Sequence, residues 1–214
     1  MEPYKEYVEQ VLYRDRYQEP RVTDVVIQGK QVVLRGLERE DLKLMHKWLN
    51  DAEVMEWARS KPDNTASMEA VEKDFEQDVK GENPTRRTFI VVEKKTGKAV
   101  GWGMIRWWRT FSTTADLGLV IAEKHLRGRG LGTEATKLLV DLAFNQYNMH
   151  KAELFTRADN KAAVGAVTKC GFKLEGKHRE EVYFNGKYWD GLTFGLLRNE
   201  RHKKKIRVNA LKIV

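Results

Sequence analysis

The chain has 214 residues, of which 41% are hydrophobic and 10% aromatic, which is enough for one well-packed core and favours a single main domain. Its apolar runs are strand-sized, far below the roughly 18 residues of a membrane span, and its start lacks a secretory apolar region. We therefore expect a cytoplasmic protein with no membrane partner. The single cysteine, Cys170, excludes an internal disulfide, and the absence of Cys/His spacing typical of zinc sites predicts no metal.

The formal net charge is +8, but six of these positive charges lie after Glu200, where the chain carries no acid. A charge run at a terminus is usually a solvated segment, so we treat residues 201–214 as a basic tail. Contact of this tail with nucleic acid or a ribosome is the minority alternative.

The first half of the chain predicts an arm, two helices and five strands. Residues 1–30 are expected to form a helical arm that ends near Pro20 and then the first strand, in a hairpin about Gln28 to Lys30. Apolar residues at helical spacing predict helices over 41–50 and 67–80. Three strands separated by short turns then predict an antiparallel meander over 87–94, 99–108 and 115–121.

The second half predicts a strand–helix–strand unit followed by a hairpin. A helix over 134–146 connects the strand 115–121 to a strand over 151–157, so these two strands should be parallel. A short helix over 160–169 stops at Gly171. The remaining residues predict a hairpin about Asn185-Gly186, a sequence favoured in two-residue turns.

The stretch "HLRGRGLGTEA", residues 125–135, places three glycines between a strand and a helix, where backbone amides and the helix dipole favour a phosphate. A Walker loop needs Lys-Ser/Thr after its last glycine, whereas Gly132 is followed by Thr133-Glu134. A dinucleotide-binding loop needs a third glycine one place later than Gly132. Neither of these two motifs fits.

The glycine motif resembles that of the Gcn5-related N-acetyltransferases, whose form Arg/Gln-x-x-Gly-x-Gly/Ala is matched from Arg127 to Gly132. A second motif of the family is matched by residues Asn160, Ala163, Lys169, Gly171, Phe172 and Gly176. The resemblance covers about residues 31–200 as an acetyltransferase domain and is greatest to the branch of ribosomal-protein alanine and spermidine acetyltransferases. It implies a mixed α/β (α+β) fold: a mostly antiparallel central sheet with a splayed parallel strand pair and flanking helices.

The resemblance also implies acetyl-coenzyme A as co-substrate and a set of residues that bind it. In the family, pantetheine lies between the splayed strands, and the amide at the Val120 position is offered to the thioester carbonyl. Arg127, Arg129 and Lys169 are expected to meet phosphate groups, and Asn160 to bind pantetheine amides while capping its helix. The implied binding residues are Val120, Ile121, Arg127, Gly128, Arg129, Gly130, Leu131, Gly132, Thr133, Asn160 and Lys169.

Acetylation of an amine requires removal of a proton from the amine and a route for the thiolate. Asp116 lies on the same strand face as Val120 and is either the general base or a carboxylate paired with a nearby arginine. The tyrosine that serves as general acid in many relatives is replaced by Val167. Tyr183, Tyr188 or water is left to take that role, and Cys170 is expected to be a small buried side chain.

The acceptor is expected to be a small-molecule amine, such as a polyamine, amino sugar or antibiotic, or alternatively a protein N-terminus. Tryptophans and acids supply candidates for binding it, or for forming a homodimer interface instead. These residues are Trp57, Trp102, Trp107, Trp108, Phe111, Asp63, Asp116 and Glu181, whereas Trp48 is expected to lie in the core. Two alternatives remain open: a non-catalytic acyl-coenzyme A sensor, and a ribosome-associated N-terminal acetyltransferase that uses the basic tail.

Overall fold

The computed structural model describes residues 27–58, 65–107 and 113–201. The predicted arm, Asp63, Trp108, Phe111 and the tail beyond residue 201 lie outside these ranges. Within them, no helix is both long and apolar enough to cross a bilayer.

One eight-stranded sheet organises the described residues, in the order β1-β2-β3-β4-β5-β6-β8-β7. Every neighbouring pair is antiparallel except β5 and β6, which are parallel, as the predicted strand–helix–strand unit requires. The strands are β1 Ile27–Gln28, β2 Val32–Gly36, β3 Arg86–Glu93, β4 Ala99–Arg106, β5 Thr114–Ile121, β6 Lys151–Arg157, β7 Lys173–Phe184 and β8 Lys187–Leu197. The predicted fold class is confirmed.

Five helices in the described residues cover the sheet on two faces. They are α1 Leu42–Leu49, α2 Ala52–Met55, α3 Met68–Val79, α4 Leu131–Asn145 and α5 Lys161–Lys169. Side-chain caps fix three of their starts: Asp51 accepts from the Glu53 and Val54 amides, Ser67 caps α3 and Asn160 caps α5. Three-residue 3-10 turns lie before α1, before the glycine stretch and after β8.

Two hydrophobic cores lie on opposite faces of the sheet. Helices α4 and α5 pack on one face, where Leu138 and Leu139 are fully buried against the strands. Helices α1 to α3 pack on the other, where Trp48 stacks on Trp102 with ring centroids 5.7 Å apart. The core on this second face includes side chains from β3 and β4 and extends as far as Ala122, just past β5. The same face of β6, β8 and β7 is therefore left uncovered.

Most of the predicted elements appear within two residues of their expected ends. The helix predicted over 134–146 differs, because it begins at Leu131. Gly130 adopts a left-handed conformation with φ of 87° and turns the chain directly into the helix, so the glycine stretch is itself the helix start.

Candidate active site at a splayed strand pair

Strands β5 and β6 are paired only at their beginnings. Residues 114–116 face residues 151–153, after which the two strands separate. Strand β5 nevertheless stays paired with β4 up to Ile121, and β6 stays paired with β8 up to Arg157. A gap therefore opens in the middle of the sheet toward the carboxyl ends of β5 and β6, at the edge where the glycine stretch and Asn160 follow.

The end of β5 is held on β4 by a close backbone approach. A Cβ on Gly101 would collide with the Val120 carbonyl, so only glycine permits this contact. The Ala122 and Glu123 amides both donate to the Val100 carbonyl, at 2.8 and 3.3 Å, which is the arrangement of a β-bulge. These contacts draw the chain toward β4 and away from β6.

The glycine stretch forms an open turn at the start of α4. Gly128 and Gly130 have φ of 76° and 87°, and a Cβ on Gly128 would meet nothing within 4 Å. No side chain caps α4, although the first amides of a helix have no partner within it. An uncapped helix start beside open backbone fits a phosphate group, and thus the pyrophosphate of coenzyme A.

The two arginines of the glycine stretch have different surroundings. The Arg127 guanidinium turns back to the strand, where its Nε donates to the Ile121 carbonyl at 2.9 Å and its Nη2 to the Ala122 carbonyl at 3.3 Å. Arg129 is exposed on the loop. Arg129 is thus accessible to a phosphate, whereas Arg127 fixes the loop to the end of β5.

The predicted residues of α5 lie at its two ends. Asn160 Oδ1 accepts from the Ala163 amide at 3.0 Å, which is the N-cap bond expected of it. Lys169 is exposed at the other end, about 13 Å along the helix. The next residue, Cys170, donates from Sγ to the Thr133 carbonyl at 3.4 Å, so Lys169 lies near the first turn of α4.

Cys170 is not a reactive thiol in this setting. Burial raises its pKa to about 11, and Lys137 offsets this only in part. A thiol with this pKa is protonated at neutral pH. The sequence predicts a small buried side chain, and in the structure Cys170 is half-buried.

The two predicted catalytic side chains lie outside the gap. Asp116 Oδ2 lies 2.6 Å from Arg106 Nη2, in the part of β5 that is still paired with β6 and about 13 Å along the strand from Val120. Tyr183 lies on the edge strand β7 beside Tyr188, with ring centroids 5.2 Å apart and 52% of its surface exposed. Strand β8 separates Tyr183 from β6. Val167, at the position of the family's tyrosine, is buried in the core.

An arginine that sequence analysis missed lies at the end of β6. The Arg157 guanidinium is 4.3 Å from the centroid of the Phe184 ring, 4.5 Å from that of Trp57 and 5.5 Å from that of Trp189. It also donates to both carboxylate oxygens of Asp159, at 2.9 Å each, and to the Glu56 carbonyl. Arg157 thus joins α2 to the β7–β8 hairpin. In the sequence, only the spacing of Arg157 and Asp159 indicated an ion pair at this position. Strand alternation does not predict contacts with aromatic rings that are distant in the chain.

An aromatic ring and carboxylates lie on the uncovered face of β6 and β8. A Cβ on Gly191 would collide with the Glu181 carboxylate and the Phe155 ring, so both side chains lie over the backbone of β8. Phe155 is 48% exposed. Lys151 pairs with Glu153 and with Glu175 on the same face, at 2.8 and 2.6 Å. In the described part of the chain, no group of three or more His, Cys, Asp or Glu side chains could hold a metal ion.

Comparison with known proteins identifies the family. The acetyltransferase (GNAT) domain matches residues 31–173. A spermidine N(1)-acetyltransferase of Escherichia coli strain K12 is 28% identical over 169 residues, covering 79% of this chain and 87% of that protein. An aminoglycoside N(6′)-acetyltransferase type 1 of Klebsiella pneumoniae is 24% identical over 151 residues, covering 68% of this chain and 75% of that protein.

A solved structure agrees with these relatives. The spermidine N-acetyltransferase of Vibrio cholerae in complex with CoA and spermine matches with a TM-score of 0.72 and 26% identity, over 80% of this chain and 98% of that one. The chain belongs to the GNAT acetyltransferase family and is an acetyl-coenzyme A-dependent N-acetyltransferase.

Proposed function

We propose that the enzyme transfers the acetyl group of acetyl-coenzyme A to the primary amine of a small cationic molecule. The amine attacks the thioester directly, with both substrates bound in the gap between β5 and β6. The observation that carries this proposal is that the strands separate beside an uncapped glycine turn. Phosphate and thioester of one extended molecule can therefore lie along the turn and the gap together.

Backbone groups supply most of the coenzyme contacts in this proposal. The amides from Gly128 to Thr133 bind the pyrophosphate, and Arg129 and Lys169 contribute cationic charge. Arg127 orients the loop through the carbonyls at the end of β5. Asn160 caps α5 and has a side-chain amide left to meet pantetheine.

The oxyanion donor is assigned by strand alternation. The Ala122 amide donates to β4, so the Val120 amide, two residues earlier, also faces β4. The amides of Leu119 and Ile121 then face the gap. We therefore favour Ile121 over Val120 as the donor to the thioester carbonyl.

The proton of the amine leaves through water in this proposal. Asp116 is engaged by Arg106 in the paired part of the sheet, and Tyr183 is separated from β6 by a strand. Neither position favours the base or acid role expected from the sequence. The thiolate needs little help, because a thiol with a pKa of about 8.5 is a good leaving group near neutral pH.

The acceptor class follows from the uncovered face of the sheet. Phe155 and the Glu181 carboxylate offer an aromatic surface and negative charge to a cation. The spermidine and aminoglycoside acetyltransferases among the relatives are named for cationic amines. Both observations support a polyamine or an aminoglycoside as the acceptor rather than a protein N-terminus. Membership of the family supports an enzyme rather than a non-catalytic acyl-coenzyme A sensor.

Three further expectations from the sequence stay proposals. A homodimer would cover exposed aromatic side chains such as Tyr188. The cytoplasm remains the proposed location, and contact of the basic tail, residues 201–214, with nucleic acid or a ribosome remains the alternative.

The test measures thiol release from acetyl-coenzyme A with a panel of amines: spermidine, spermine, an aminoglycoside and an alanine-terminated peptide. We expect release with at least one polycationic amine and none with the peptide. Coenzyme binding without release for every amine would contradict the proposal. Release with the peptide alone would transfer the assignment to protein N-termini.

A further inference from the structure

The turn between β1 and β2 is fixed to the first turn of α4 by a single carboxylate. Glu134 Oε1 accepts from the Lys30 amide, and Oε2 accepts from the Gln31 amide at 2.9 Å. The contact requires glycine at position 29, because a Cβ there would lie 2.5 Å from Oε1 and 2.9 Å from Cδ. More than one hundred residues separate these partners in the chain.

This carboxylate occupies an unusual place. A carboxylate in the first turn of a helix is stabilised by the helix dipole and often caps the helix itself. Both carboxylate oxygens of Glu134 instead accept from amides of the β1–β2 turn. No side chain caps the first amides of α4. The β1–β2 turn therefore lies beside the glycine turn that is proposed to bind pyrophosphate.

One polar side chain of the β1–β2 turn lies beside Gly130. The Gln31 side-chain nitrogen would lie 3.7 Å from a Cβ on Gly130. Lys94, at the end of β3, donates from its backbone to the Gln31 carbonyl at 2.8 Å and from Nζ to the Gly29 carbonyl at 3.3 Å. Lys30 and Lys94 are both exposed. The Gln31 side chain thus lies beside the glycine turn, and the two exposed lysines belong to the β1–β2 turn or contact it.

We propose that Lys30, Gln31 and Lys94 form a second wall of the coenzyme site and bind its phosphate charge, with Glu134 as the positioning residue. This inference rests on the proposed function, because it assumes that the coenzyme phosphates lie at the glycine turn. The match to the family begins at residue 31, so Gly29 and Lys30 precede it. Gln31, Lys94 and Glu134 lie within the matched range.

The test measures dissociation constants for coenzyme A and for 3′-dephospho-coenzyme A by titration calorimetry at low salt. The variant Lys30→Met/Lys94→Met removes both charges from exposed positions and should fold normally. We expect its affinity for coenzyme A to fall about tenfold, which corresponds to about 1.4 kcal/mol at 25 °C, because two charged contacts with phosphate are lost. The matched control is Lys98→Met, which removes an exposed lysine from the same β3–β4 turn and should change the affinity less than twofold.

The two ligands distinguish the phosphate groups. Weakening for coenzyme A alone assigns the lysines to the 3′-phosphate, and equal weakening for both ligands assigns them to the pyrophosphate. An affinity within twofold of that of the wild type for both ligands would overturn the proposal. The wild-type protein separates this failure from failure of the proposed function, because the latter would abolish its own coenzyme binding or thiol release.

Glu134 has a test of its own. Glu134→Ala removes both acceptors, while Glu134→Gln retains one, so coenzyme affinity should fall in the order wild type, Gln, Ala. We expect the KM for acetyl-coenzyme A to rise at least fivefold in Glu134→Ala with little change in kcat. A loss of thermal stability with unchanged coenzyme affinity would show a structural role only and would overturn the positioning role.

Discussion

Arg106 and Asp116 form an ion pair across β4 and β5, with 2.6 Å between Nη2 and Oδ2. The pair lies in the closed part of the sheet rather than in the gap between β5 and β6. Replacement Asp116→Asn should therefore leave kcat within about twofold of the wild type. Both side chains are partly exposed, so the loss in free energy of unfolding should be about 1 kcal/mol or less.

The measurement combines steady-state kinetics at saturating amine with a denaturant titration. Arg106→Gln is the matched variant, because it breaks the same pair from the other side and should cost a similar free energy of unfolding. A fall in kcat of tenfold or more in Asp116→Asn, with coenzyme affinity unchanged, would restore Asp116 as the general base.

The left-handed turn at Gly130 should be indispensable to the coenzyme site. Gly130→Ala places a Cβ at φ of 87°, which costs roughly 1–2 kcal/mol, and the turn would relax by moving its amides. We expect a coenzyme affinity at least tenfold weaker in a protein that still folds. Isothermal titration with coenzyme A measures the affinity, and circular dichroism checks the fold.

Gly165→Ala is the control for the loss of a glycine as such. Gly165 lies within α5, and a Cβ there would meet nothing within 4 Å. Alanine should stabilise this helix by about 0.5–1 kcal/mol and leave coenzyme affinity unchanged. Similar affinities for the Gly130 and Gly165 variants would show that the turn does not bind the coenzyme.

The glycine turn before α4, the parallel pair and the hairpin at Asn185-Gly186 could be predicted because local sequence determines them. Glycine content, turn residues and apolar periodicity act within a few residues along the chain. The contact of Glu134 with the β1–β2 turn could not be predicted, because it depends on how α4 crosses the sheet. The same holds for Arg157, whose aromatic partners come from two distant segments, the chain just after α2 and the β7–β8 hairpin. Strand alternation predicts the face on which Asp116 lies but not where β6 departs from β5, so it could not decide between a general base and a carboxylate paired with an arginine.

The thiol of Cys170 should be slow to react and should affect stability at high pH. With a pKa of about 11, the thiolate fraction at pH 7.5 is on the order of 0.03%. Alkylation by iodoacetamide should therefore be far slower than that of a model thiol, and its rate should rise about tenfold per pH unit up to about pH 11. Mass spectrometry of the labelled protein measures the rate.

The raised pKa also fixes the sign of a stability effect. Between pH 9 and about pH 11 the unfolded chain loses the thiol proton while the folded chain retains it, so the free energy of unfolding falls as pH rises. Cys170→Ala has no thiol to deprotonate, so its free energy of unfolding should fall less over the same pH range. Rapid alkylation at pH 7.5, or identical pH profiles for both proteins, would contradict the burial of this thiol.

Arg157 should control the acceptor side of the site rather than the coenzyme side. Its guanidinium contacts Trp57, Phe184 and Trp189 and donates to Asp159, so it holds α2 against the β7–β8 hairpin beside the uncovered sheet face. Arg157→Ala leaves the Asp159 carboxylate without its partner and should cost about 2–4 kcal/mol of unfolding free energy. Arg157→Lys keeps the charge but loses the planar stacking and the two-pronged bond, and should cost less.

The kinetic consequence separates positioning of the acceptor from general loss of structure. In Arg157→Lys we expect the KM for the amine to rise at least fivefold, while the KM for acetyl-coenzyme A stays within twofold, because the glycine turn is fixed independently by Arg127 and Glu134. Trp189→Phe is the matched variant, since it preserves an aromatic ring beneath the guanidinium and should change the amine KM less. Equal rises in both KM values would mean that Arg157 supports the sheet as a whole and has no particular influence on the acceptor.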